Sequence, residues 1–172
     1  GSEMCIRDRT MTLTAANGTD LNLQPTEELA FAGAHLYAYS YLYDKKVATT
    51  GQDVKVTFTI DMKDKGGDDI SMNLWMKGEK GRKVFTALSP MTEGYSRTPG
   101  MPYNIKEQPT LTFVARQSGE AWSRPFVAIY EPSSVNEPGQ IESVTFPEVE
   151  CKDKGSHVAV CVEQRNCLLY TS

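Results

Sequence analysis

No HExxH, CxxC, nucleophile-elbow or phosphate-loop pattern occurs in these 172 residues. The common metalloprotease, dithiol, serine-hydrolase and nucleotide-binding chemistries therefore have no foothold here. Histidine is scarce: His35 and His157 are the only two, and neither stands in a catalytic or ligand spacing. A structural zinc site takes about four ligands. Cys151, His157 and Cys161 offer at most three on one hairpin, so no metal is expected, and nothing in the sequence implies a cofactor. No run approaches the roughly 20 apolar residues that span a bilayer. A formal charge of -4 gives no general field for nucleic acid, although a local basic patch is compatible with it. Neither membrane nor nucleic acid is an expected partner, and no catalytic residue is assigned.

The two ends carry a different signal. Gly1 to Asp8 (GSEMCIRD) back-translates to GGC TCG GAG ATG TGT ATA AGA GAC, and Cys167 to Ser172 (CLLYTS) to TGT CTC TTA TAC ACA TCT. These resemble a transposon mosaic-end sequencing adapter and its reverse complement, one at each end. The expectation is that residues 1–9 and 167–172 are adapter-derived and that residues 10–166, about 157 residues, are a gene piece broken on both sides. Such flanks are set aside before fold reasoning. Cys5 and Cys167 then drop out, leaving Cys151 and Cys161. A hairpin around Asp153-Lys154-Gly155 would put Cys151 opposite His157 and Cys161 near Pro147. That offset exceeds the reach of a disulfide, so both are read as free or buried thiols.

What the chain has in abundance is period-two alternation. Leu36 to Tyr43 (LYAYSYLY) sets four tyrosines on one face; Val54 to Ile60 (VKVTFTI) alternates apolar with Lys and Thr; Met72, Leu74 and Met76 alternate with Ser71, Asn73 and Trp75. Alternation of this kind marks strands with one buried face. Turn residues at 64–68 and 77–81 separate the last two segments from each other and from Val84-Phe85, which reads as a meander. Further strands are expected at Leu111 to Arg116, Phe126 to Tyr130, Ile141 to Phe146 and Val158 to Val162. Pro25 to Ala34 alone looks helical, for about two turns. The expected fold is all-β, an antiparallel β-sandwich truncated at both ends, with no internal repeat or low-complexity linker.

Ser89 to Pro109 (SPMTEGYSRTPGMPYNIKEQP) breaks that grammar. Loops of this length are uncommon in compact domains and tend to be functional or disordered. Tyr95, Arg97 and Tyr103 within it are candidate substrate-binding residues, because an arginine can pair with a uronate or sulfate while tyrosines stack on sugar rings. Arg116 is a fourth candidate, or else a structural ion-pair partner of Glu131. The tyrosine ladder fits either packing or ligand contact. Asp61, Asp64, Asp68 and Asp69 fit either a solvated hairpin tip or a cation loop without a known spacing. Lys77, Lys80, Arg82 and Lys83 fit either a solvated turn or a contact for an anionic polymer.

Leu111 to Phe146 reads LTFVARQSGEAWSRPFVAIYEPSSVNEPGQIESVTF. A strand ending in Arg, a Gly-containing turn, a PFVAxYEP strand and an I-x-SV strand resemble the C-terminal β-sandwich of the heparinase II/III-like polysaccharide lyases. Leu74 to Pro90 and His157 to Glu163 are similar to the flanking strands of that region. The resemblance implies a periplasmic or extracellular enzyme that cleaves uronate-containing, anionic polysaccharide by β-elimination. It implies as partner an N-terminal toroid domain of the same chain, which would carry the catalytic groups. No residue here matches those catalytic motifs. The sequence therefore reads as a non-catalytic sandwich supporting that toroid and bordering the substrate cleft, or as a stand-alone carbohydrate-binding or adhesive module.

Overall fold

The computed structural model describes residues 9–27, 41–62, 67–89, 109–119, 123–149 and 157–165. Its strands are β1 (Arg9–Ala15), β2 (Gln24–Pro25), β3 (Tyr43–Thr50), β4 (Val54–Ile60), β5 (Ile70–Met76), β6 (Arg82–Ser89), β7 (Thr110–Arg116), β8 (Ala128–Ser134), β9 (Ile141–Thr145) and β10 (Cys161–Gln164). Two four-stranded antiparallel sheets, β1-β4-β5-β8 and β2-β3-β6-β7, face each other, and β9-β10 forms a separate hairpin. Among the described residues there is no α-helix. The fold is the all-β sandwich that the alternation implies.

The core lies where the alternating apolar residues of the two sheets meet. Leu13, Val54, Val56, Leu74 and Met76 come from the first sheet and Val84 from the second, with Ala48, Phe113 and Ala115 packed on them. Val56 and Val84 are fully buried, each stabilising the fold by about 1.5–3 kcal/mol. Burial does not stop at the shared core. Trp75 points away from Leu74 and Met76 yet is buried beneath Lys55, whose Nζ lies 4.9 Å from the ring centroid. Phe85 and Ala87, on the face of β6 opposite Val84, are buried as well.

Several expectations are corrected. β4 and β5 form the hairpin read from the sequence, but the 77–81 turn carries the chain into the opposite sheet, so the three segments are not a meander. Periodicity states which side chains face inward and is silent about which sheet they belong to. Pro25, expected to start a helix, is extended in β2 opposite Lys46; residues 28–34 lie outside the described set. β3 starts at Tyr43 rather than Leu36, with Asp44 in the left-handed region at φ 49° and an irregular register between Tyr43 and Lys46. Tyr41 precedes the strand, and Leu36 to Ser40 lie outside the described residues. β8 runs past Tyr130 through Pro132 to Ser134. A proline is tolerated there because β8 is an edge strand.

The β9-β10 hairpin forms in a different register. Cys161 pairs with Thr145 rather than Pro147. A two-residue slip leaves every side chain on its original face, so alternation cannot detect it. Cys161 is a free, exposed thiol; Cys151 lies outside the described residues.

Candidate functional site

One end of the sandwich gathers most of the polar chemistry. The β3–β4 turn (Gly51, Gln52, Asp53) and the β5–β6 turn (Lys77 to Gly81) press directly together there. A Cβ on Gly78 would overlap the backbone of Gly51 and Gln52. Asp53 Oδ1 accepts the Gly78 amide at 2.6 Å, and the Asp53 carbonyl accepts the Ala16 amide at 2.7 Å. One aspartate thus ties the exit of β1 to both turns.

Arg82, expected on a solvated turn with Lys77, Lys80 and Lys83, is instead 2% exposed. It shares the inner face of β6 with Val84 and closes the end of the core. Nε donates to Gln117 Oε1 at 2.9 Å, and Nη1 donates to the Lys77 carbonyl. The guanidinium carbon lies 4.5 Å from the Phe126 ring centroid. Lys77 leaves β5, Gln117 leaves β7 and Phe126 leads into β8, so one side chain joins both sheets. Burial pushes the Arg82 pKa down, Glu79 pulls it up, and Arg124 pushes it down further. The desolvation of the buried cation is offset by these hydrogen bonds, the ring contact and the charge of Glu79.

Arg124 sits beside this group, donating from Nη2 to the Ser118 carbonyl at 2.8 Å. Its guanidinium occupies the space where a side chain on Gly119 would begin, and Gly119 has φ +101°. Lys77 Nζ lies 3.9 Å from Glu79 Oε2. Across β6 and β7, Lys83 stands opposite Arg116. Six cations (Lys77, Lys80, Arg82, Lys83, Arg116, Arg124) and two acids, Glu79 and Glu120, occupy the 77–83 and 116–124 segments, in a chain of net charge -4.

On the other side of the paired turns is an open cleft of about 420 Å³, where Asn17, Gln52, Asp53, Ser143 and Thr145 supply polar groups and Val144 an apolar wall. Ser143 Oγ donates to Glu163 Oε2 at 2.9 Å, holding β9 to β10 at its rim. Clefts of this size suit small ligands. Its amides and hydroxyls match sugar hydroxyls in donor and acceptor capacity.

Of the residues singled out in the sequence, Tyr95, Arg97 and Tyr103 lie outside the described residues. Arg116 ends β7 with its guanidinium 5.7 Å from the Phe85 ring centroid. Glu131, suggested as its ion-pair partner, accepts the amides of Gln140 and Ile141 at 2.6 and 2.8 Å. Asp69 accepts the Met62 amide and Asp68 the Asn136 side-chain amide. Arg124, Phe126 and Gln117 were not singled out. Their signal is faint: a basic and an aromatic residue flanking Pro125, just where a strand begins.

No family model and no solved structure matches the chain. Among curated proteins, an endo-acting ulvan lyase of Formosa agariphila is 30% identical over 144 residues, covering 81% of this chain and 16% of that relative. The chain spans about one sixth of the relative's length. Over most of its own length, then, this β-sandwich is similar to a region of a polysaccharide lyase.

Proposed function

We propose that the chain is a non-catalytic β-sandwich region of a heparinase II/III-like polysaccharide lyase that acts on uronate-containing polysaccharide by β-elimination. In that reaction a base removes the proton at C5 while the neighbouring carboxylate is neutralised, and an acid assists the departing oxygen. In this reading those groups sit on a toroid domain of the same protein. The sandwich supports that domain, and its polar end borders the substrate cleft. The observation that carries the reading is the 30% identity to the endo-acting ulvan lyase across 81% of the chain. The concentration of cations at one end supports an anionic substrate.

The test is product formation. Incubated with uronate-containing polysaccharides, the 172-residue chain is expected to release no unsaturated, ultraviolet-absorbing product, while a longer protein carrying this sandwich after a toroid does release it. Robust turnover by the chain alone would place the catalytic groups within it. A longer protein inactive on every uronate polymer would remove the lyase reading and leave a carbohydrate-binding or adhesive role for the sandwich.

A further inference from the structure

We propose that Phe126 and Arg124 form a subsite for one anionic sugar unit, with the sugar ring stacked on Phe126 and its carboxylate or sulfate ester held by Arg124. This rests on the reading of the chain as part of a polysaccharide-binding enzyme. It adds to that reading a place and a chemistry.

Phe126 is 48% exposed even though Arg82 lies against its ring. One face is taken by the buried guanidinium, and about half of the residue's surface is left open to solvent. A lone exposed aromatic is ordinary; this one is held rigidly by a cation that is itself fixed to Gln117 and Lys77. A ring immobilised before binding loses little freedom when a sugar stacks on it. The cation behind it also draws on the ring's negative face. An anionic sugar then meets less repulsion there than on a free phenyl ring.

Arg124 supplies the charge. It gives one N–H to the Ser118 carbonyl, and a guanidinium has five. Among the described residues no carboxylate pairs with it, and Glu79, the acid described at this end, is near Lys77. Arg124 is a second cation at this end of the sandwich, and its like charge pushes the Arg82 pKa down, a repulsion between the two. An anion arriving beside Arg124 relieves that repulsion and takes a planar, two-pronged contact. Gly119 makes this placement possible, because any larger residue would displace the guanidinium.

Calorimetric titration with three probes of matched length decides the matter: an oligogalacturonate bearing carboxylates, a carrageenan oligosaccharide bearing sulfates, and a neutral cello-oligosaccharide. The intact chain is expected to bind at least one anionic probe about tenfold or more tighter than the neutral one, and the preferred probe tells carboxylate from sulfate. Arg124→Gln is expected to remove that preference at unchanged melting temperature. Phe126→Leu, which keeps an apolar cover over Arg82, is expected to weaken the anionic and neutral probes alike. Undiminished binding by Arg124→Gln, or no binding of either anionic probe by the intact chain, overturns the subsite. Should Phe126→Leu fail to fold, Arg124→Gln alone decides. The lyase reading is judged separately by product formation, so failure of the one is distinguishable from failure of the other.

Discussion

Arg82 shows how far one side chain can depart from the role its neighbours suggest. In sequence it belongs to a run of cations around a glycine turn, which reads as a wet surface. In the fold it is the largest fully buried side chain among the described residues, and it holds the ends of β5, β7 and β8 together. Replacing it with methionine would keep much of the volume but leave the Lys77 carbonyl and the Gln117 amide without their donor. Burying such groups unpaired costs about 1–3 kcal/mol each. Arg82→Met is therefore expected to lower stability by about 2–4 kcal/mol in urea unfolding. Arg82→Lys is expected to recover only part of it, because an ammonium cannot both fork and lie flat on a ring. The folded-state pKa of Arg82 is lowered, so the unfolded chain binds more protons only in strongly alkaline solution, where stability would rise with pH.

At the level of elements, strands were legible and their assembly was not. Val54 to Ile60 alternates cleanly because one face meets the core and the other meets water, and β4 has those bounds. The strand expected at Phe126 to Tyr130 instead runs from Ala128 to Ser134, through a proline that an edge strand accepts. The sheet change between β5 and β6 depends on Gly78, a residue whose need becomes visible only when the β3–β4 turn lies against it. The site was less legible still: Arg124 and Phe126 are separated by over 40 residues from Arg82, and no local pattern announces that they meet. Gly78→Ala tests the turn-to-turn contact. The added methyl must push the Gln52 backbone away and break the Asp53 hydrogen bond, an overpacking that costs about 1–3 kcal/mol. The expected result is a lower melting temperature with altered amide signals at Asp53 and Ala16, while Lys80→Ala on the same turn changes stability by less than about 0.5 kcal/mol.

Across the whole molecule, stability should be graded rather than uniform. β4 and β5 are interior strands of one sheet, β3 and β6 of the other, and Val54, Val56, Leu74, Val84 and Phe85 bury their side chains on these strands. β10 is the opposite case. It has four residues, all exposed, and its only strand partner among the described residues is β9, across a ladder that is irregular at Glu163 and Gln164. Few apolar contacts and water-accessible hydrogen bonds make local opening cheap. Native-state hydrogen exchange should therefore show the amides of Cys161 to Gln164 exchanging first, through openings far smaller than global unfolding, with Val56, Leu74 and Val84 exchanging last and together. A Leu74→Ala substitution, expected to cost about 2–5 kcal/mol, should then accelerate exchange at Val56 and Val84 by the full change in global stability and leave Cys161 to Gln164 unchanged. Equal acceleration in β10 would mean that the hairpin unfolds only with the sandwich, as one cooperative unit.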